Sequence, residues 1–90
     1  PTNILKVQEK VKLIQTKILT QAIRDLASVK PKFREEALAF FFSPSFTLLS
    51  SDLDIDRKYV LLAIEQLVKY PIVSRKKLTE EMVQGLKNFK

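Results

Sequence analysis

The sequence has no cysteine, no histidine and no tryptophan, and only one of its 90 residues is glycine. Without cysteine it has neither disulfides nor thiolate ligands for zinc, and without histidine it lacks the commonest metal ligand and general base. A single glycine also excludes a glycine-rich phosphate-binding loop. We therefore expect no enzyme, no catalytic residues, no cofactor and no metal site.

What the chain does contain favours helices. Hydrophobic residues make up 46% of it, and Leu, Ile, Ala, Lys and Glu, all good helix formers, abound. A chain of this length builds one core. Lysines interrupt its apolar stretches every few residues, so we expect neither a secretory leader nor a membrane span. The prediction is an all-α, soluble, cytoplasmic protein: a compact bundle of about five helices in one domain, residues 1–90.

The N-terminal third predicts one long amphipathic helix over residues 3–28. Its apolar stripe has alternating steps of three and four residues and comprises Ile4, Val7, Val11, Ile14 and Ile18. Such a stripe either packs on the rest of the domain or forms the seam of a coiled-coil dimer. Gln21 and Asp25 interrupt the heptad pattern, which favours packing within the domain.

Prolines divide the remaining chain. Pro31 and Pro44 suit the first positions of helices over residues 31–42 and 44–51, and Pro71 ends a helix over residues 57–70. A last helix begins either at a Ser74 cap or after Thr79. Three consecutive phenylalanines, residues 40–42, are expected mostly buried, as the centre of the core.

Three aspartates follow the third helix. Asp52, Asp54 and Asp56 have the spacing that opens a calcium-binding EF-hand loop, but the sixth position is Arg57 instead of glycine and the twelfth is Ala63 instead of glutamate. We therefore assign the aspartates to the turn, with Asp56 as the N-cap of the next helix.

Residues 44–70 resemble a helix-turn-helix. Asp54 stands where that family usually has glycine, and aspartate tolerates the left-handed backbone better than most residues. Residues 70–73 resemble the exit into a wing. The positions that match the family's apolar anchors and inner face are Leu49, Leu53, Ile55, Val60, Ile64 and Leu67.

This resemblance implies DNA binding through the second helix of the pair and the basic residues that follow it. Leu61 and Leu62, also on that helix, argue instead for a protein partner, because groove-facing residues are normally polar or small. The nucleic-acid-binding residues implied by the resemblance are Arg57, Lys58, Gln66, Lys69, Arg75, Lys76 and Lys77.

Residues 22–64 are also similar to small helical proteins of bacteriophages and prophages, for which regulatory or DNA-binding roles are suspected. The similarity consists of an Ala-x-x-aromatic-x-x-Ser run, an aromatic-led helix, an L-x-I-D turn and a valine-anchored helix. The matching positions are Ala37, Phe40, Ser43, Phe46, Leu49, Leu53, Ile55, Asp56 and Val60.

Charge is distributed by region. Residues 1–30 carry a net +4, residues 31–56 a net −3 and residues 57–90 a net +5, within a total of +6 and a pI near 9.7. Basic ends suit contact with nucleic acid, although a modest positive charge also serves solubility.

Two hypotheses follow. The first is a small DNA-binding protein that regulates transcription. The alternative is a helical protein-interaction or homodimerisation module, since the chain has more apolar helix surface than a small monomer obviously hides. The interface of that alternative would comprise Ile4, Val7, Val11, Ile14, Ile18, Leu61 and Leu62.

Overall fold

The protein is an all-α bundle of five helices, as predicted. A computed structural model describes the backbone of residues 2–88 and the side chains of residues 6–86. Within that part of the chain there is no strand. The helices are α1 (Thr2–Asp25), α2 (Pro31–Phe41), α3 (Pro44–Asp52), α4 (Arg57–Leu67) and α5 (Ile72–Asn88).

Helix α1 is the longest helix, and two of the others pack against it. Its C-terminal half packs against α2 and α5, while α3 packs on α2 and α4 on α3. Two polar contacts also join α1 to other helices: Gln15 donates to Asp52 of α3 at 2.9 Å, and Arg24 forms a 3.1 Å salt bridge with Glu80 of α5. The molecule is elongated, 48 × 25 × 23 Å, because α1 is much longer than its neighbours.

All five helices contribute to one hydrophobic core. At its centre the ring of Phe41 lies 5.0 Å from that of Phe46 and 5.3 Å from that of Phe40, both edge-on, an arrangement that aromatic pairs favour. The buried hydrophobic residues are Leu19, Ile23, Leu26, Ala37, Phe41, Phe46, Leu49, Val60, Ile64, Leu67 and Val83.

The phenylalanine run is only partly buried. Phe41 is fully buried and Phe40 half-buried, but Phe42 is 58% exposed. Successive helical residues point about 100° apart, so three in a row cannot all face one core. The prediction of burial was wrong for Phe42.

Several helix ends differ from the predicted ones. α1 ends at Asp25, since tight turns close residues 26–28, and α4 ends at Leu67 rather than Tyr70. α5 begins at Ile72, earlier than either predicted start, because the carbonyl of Pro71 accepts the amides of Ser74 and Arg75. Proline lacks an amide but keeps its acceptor, so it starts this helix as well as separating it from α4.

Candidate functional site

The turn between α3 and α4 contains a residue with a left-handed backbone. Asp54 has a φ of 57°, which confirms its predicted left-handed conformation. The amide of Ile55 donates to the carbonyl of Ser50 at 2.8 Å, and the amide of Asp54 to that of Ser51 at 3.2 Å. These two bonds form a Schellman motif, which satisfies the last carbonyls of α3 and redirects the chain.

Asp56 then starts α4 as predicted. Its carboxylate accepts the amide of Tyr59 at 3.2 Å, an N-cap that satisfies one of the free donors of the first turn. Val60, Ile64 and Leu67 are buried, so the predicted inner face of α4 is confirmed. The local sequence therefore determines the turn, and it also determines which side of α4 faces solvent.

The outer face of α4 carries mixed chemistry. Lys58, Leu62, Glu65 and Lys69 are exposed, and the first three lie at helical steps of four and three residues on one side, which Lys69 continues just past the helix end. Leu62 is 60% exposed between charged neighbours. Gln66 is exposed too, but it faces the side turned toward α5.

Arg75 does not belong to this basic surface. Its Nε, Nη1 and Nη2 atoms donate to the carbonyl oxygens of Tyr70, Leu26 and Val68 at 2.9, 3.2 and 2.7 Å. All three guanidinium nitrogens are therefore committed to backbone acceptors at the ends of α1 and α4. The prediction that Arg75 contacts phosphate is corrected: the side chain ties three helices together.

The other basic candidates divide into two groups. Lys76 and Lys77 are exposed in the first turns of α5 and remain free to meet a phosphate. Arg57 is half-buried, and its Nε atom is buried without a hydrogen-bond partner among the described residues. Arg57 is therefore less accessible to a phosphate than these two lysines.

Residues 70–73 lead into a helix, as predicted for the last segment, and not into a wing. Residues 72–88 form α5, and no strand occurs in the described chain to build a two-stranded hairpin. Ile72 and Val73 form the first turn of this helix, because the Pro71 carbonyl accepts the amides of Ser74 and Arg75. The Arg75 side chain then holds the start of α5 against the ends of α1 and α4.

The two leucines of α4 have different environments. Leu61 is half-buried and packs against the core, whereas Leu62 is exposed. Of the two leucines in the predicted partner interface, Leu62 is therefore available for contact with a partner, whereas most of Leu61 is not.

The N-terminal part of α1 presents an apolar stripe to solvent. Val7, Val11, Ile14 and Ile18 are 58, 47, 57 and 47% exposed. Ile14 and Ile18 border a shallow pocket beside α2, but about half of each side chain in the stripe remains open to solvent. We call residues 6–18 the α1 arm. Ile4, the first predicted interface residue, has a side chain outside the described residues.

A second apolar surface is a groove between α4 and α5 that the sequence analysis missed. It has a volume of about 820 Å³, and its wall on α4 includes Tyr59, Ala63 and Tyr70. The wall on α5 includes Met82 and Gly85. The feature of the sequence that could have indicated this groove is a small residue on each wall, Ala63 and Gly85, because small side chains leave the space between two helices unfilled.

Among the described residues that line this α4/α5 groove, the two charged ones are Asp56 and Glu81. The α1 arm has the opposite charge: Lys6, Lys10, Lys12 and Lys17 flank the stripe with Glu9 as the single acid in residues 6–18. The two apolar surfaces of the molecule are therefore electrostatically complementary.

The described residues contain no cluster of metal-ligating side chains, including around the aspartate turn. None of the helices, over the same part of the chain, is long and apolar enough to cross a membrane. Comparison with protein families, curated proteins and solved structures finds no significant match. The function must therefore be argued from the geometry.

Proposed function

We propose that the protein binds duplex DNA through the α3/α4 pair, as a small regulatory protein. The observation that carries the proposal is the turn: a left-handed Asp54 in a Schellman motif, followed by a capped α4 whose inner face is buried. This arrangement holds a helix at a fixed angle with its other side free, which is what insertion into a major groove requires.

The charge of the free surface gives the contacts. Lys58 and Lys69 bound the outer face of α4, and Lys76 and Lys77 follow at the start of α5. Lysines of this kind contact phosphates and set the position of the protein on the duplex. Gln66 lies on the side of α4 that faces α5, so it is left out of this DNA-contacting surface.

Glu65 and Leu62 shape the specificity of this surface. The carboxylate of Glu65 lies one turn from Lys69 and accepts from a cytosine amino group but not from a phosphate. Leu62 suits the methyl group of thymine. The proposal therefore expects sequence-dependent binding on top of a modest phosphate contribution.

Fluorescence anisotropy with mixed-sequence duplex DNA, at low and at physiological salt, tests the proposal. We expect binding that weakens steeply with salt, because phosphate contacts release counterions. The double variant Lys58→Gln/Lys69→Gln should bind more weakly and make the slope of log K against log salt shallower by about 1.8, since each phosphate contact contributes about 0.9.

The control removes the same charge elsewhere. Lys30→Gln/Lys32→Gln changes two exposed lysines at the start of α2, a helix that packs on α1 and α3. It should retain most of the affinity that the α4 variant loses. Absence of wild-type binding at low salt, or equal losses in the two variants, would contradict DNA binding by α4.

A second candidate function is protein interaction, including homodimerisation. The observation that favours it is the exposed stripe of the α1 arm together with Leu62. Contiguous apolar surface on a small protein marks an interface. The two candidates are compatible, because helix-turn-helix proteins commonly bind two half-sites as dimers.

A further inference from the structure

We infer that the α1 arm of one molecule docks in the α4/α5 groove of a second copy, so that two molecules exchange arms. The inference deepens the homodimerisation candidate and does not depend on DNA binding by α4. It identifies which two surfaces meet, and each surface is present once on every molecule. Reciprocal exchange would then give a closed two-fold dimer.

The first support is that both the arm and the groove expose apolar surface to solvent. The arm exposes roughly half of each of Val7, Val11, Ile14 and Ile18. The groove is walled by Tyr59, Ala63 and Met82 and is open to solvent. An amphipathic helix that lays its apolar face into such a groove is a common mode of recognition.

Charge favours docking of the arm in the groove over direct pairing of two arms. Two arms placed side by side would bring their lysines together, four on each arm against one glutamate. Like charges at helix interfaces are unfavourable, and coiled coils use complementary charges there. In the groove the lysines would instead meet Asp56 and Glu81.

Length agrees as well. The stripe from Val7 to Ile18 spans about 16 Å at the rise of an α-helix. On the α4 side the residues that line the groove run from Asp56 to Tyr70, mostly helical, or about 20 Å. The groove is therefore long enough to hold the whole stripe of one arm.

Gly85 offers a way to block the groove. It lines the groove, and a Cβ built on it would meet nothing within 4 Å. Gly85→Arg introduces a long cation into the groove, where it should obstruct and repel the basic arm, and its Cβ has room in the monomer. Gly85→Ala is the matched control, since it keeps the groove open.

The arm is tested separately. Val7→Gln/Val11→Gln removes two exposed apolar side chains from the stripe, and Val73→Gln removes one that is 89% exposed on α5, outside arm and groove. Circular dichroism checks that all variants retain the helical fold. Light scattering after size exclusion measures mass against the 10.4 kDa of one chain.

We expect a dimer for the wild type, Gly85→Ala and Val73→Gln, and a monomer for Gly85→Arg and Val7→Gln/Val11→Gln. The decisive sample is an equimolar mixture of the last two. One has an intact arm and the other an open groove, so the mixture should form a mixed dimer at concentrations where each alone is monomeric.

Two results would overturn the inference. A Gly85→Arg chain that dimerises as strongly as the wild type would show that the arm pairs elsewhere, although homodimerisation itself would stand. A wild type that stays monomeric at high concentration would remove both the arm exchange and the homodimer. The DNA titration is a separate measurement and is decided independently.

Discussion

The Nη1 atom of Arg75 donates to the carbonyl oxygen of Leu26 at 3.2 Å, across 49 residues of sequence. Leu26 follows the last residue of α1, where the final carbonyls of a helix lack partners within it. The other two guanidinium nitrogens satisfy Val68 and Tyr70, just past the end of α4. One side chain at the start of α5 therefore caps two other helices.

Arg75→Gln should lower the free energy of unfolding by about 2–4 kcal/mol, because hydrogen bonds to a charged donor contribute roughly 1.5–3 kcal/mol each and glutamine cannot replace all three. Urea unfolding followed by circular dichroism measures the loss. Lys76→Gln, at the exposed neighbouring position, should change stability by less than about 0.5 kcal/mol. Similar effects of the two substitutions would exclude the capping role of Arg75.

The local features of this fold could be predicted from the sequence because short-range chemistry determines them. Pro31 and Pro44 start helices, and the left-handed Asp54 and the Asp56 cap follow from turn and capping preferences that involve only a few neighbouring residues. The inner face of α4 was implied by the resemblance of residues 44–70 to a helix-turn-helix. These features position the α3/α4 pair.

Features that depend on distant residues could not be predicted. Arg75 looked like a phosphate ligand, since nothing nearby in the sequence shows that Leu26 lies within its reach. The spacing of the α1 stripe is the same whether it packs on its own domain or on another chain. The α4/α5 groove could not be predicted either, because the sequence does not show how much space separates these two helices.

Phe41 and Phe42 give a direct test of the core. Phe41 is fully buried between Phe40 and Phe46, so Phe41→Ala should cost about 3–5 kcal/mol through lost burial and the cavity left behind. Phe42→Ala, at a position 58% exposed, should cost less than about 1 kcal/mol.

Urea midpoints of these two variants measure the difference. A chain of 90 residues has only about 5–13 kcal/mol of stability in total, so Phe41→Ala is expected to unfold at a much lower urea concentration than the wild type. Equal destabilisation by the two substitutions would mean that the ring of Phe42 is buried in solution, as its place in an apolar run first suggested.

Asp54 connects the fold to the proposed function. Its left-handed backbone is strained for any residue with a Cβ, so Asp54→Gly should raise the free energy of unfolding by about 0.5–1 kcal/mol, and Asp54→Val should lower it by about 1–2 kcal/mol. Asp54→Asn is the matched control: it removes the same charge but keeps a Cβ at the left-handed position.

The glycine variant should also bind DNA more tightly than the wild type. It keeps the angle between α3 and α4 and removes an exposed carboxylate near the N-terminus of α4, where a phosphate would otherwise be repelled. Urea unfolding and the anisotropy titration together separate the two effects. Stabilisation without any gain in affinity would place the DNA away from this turn and would favour the protein-interaction candidate for α4.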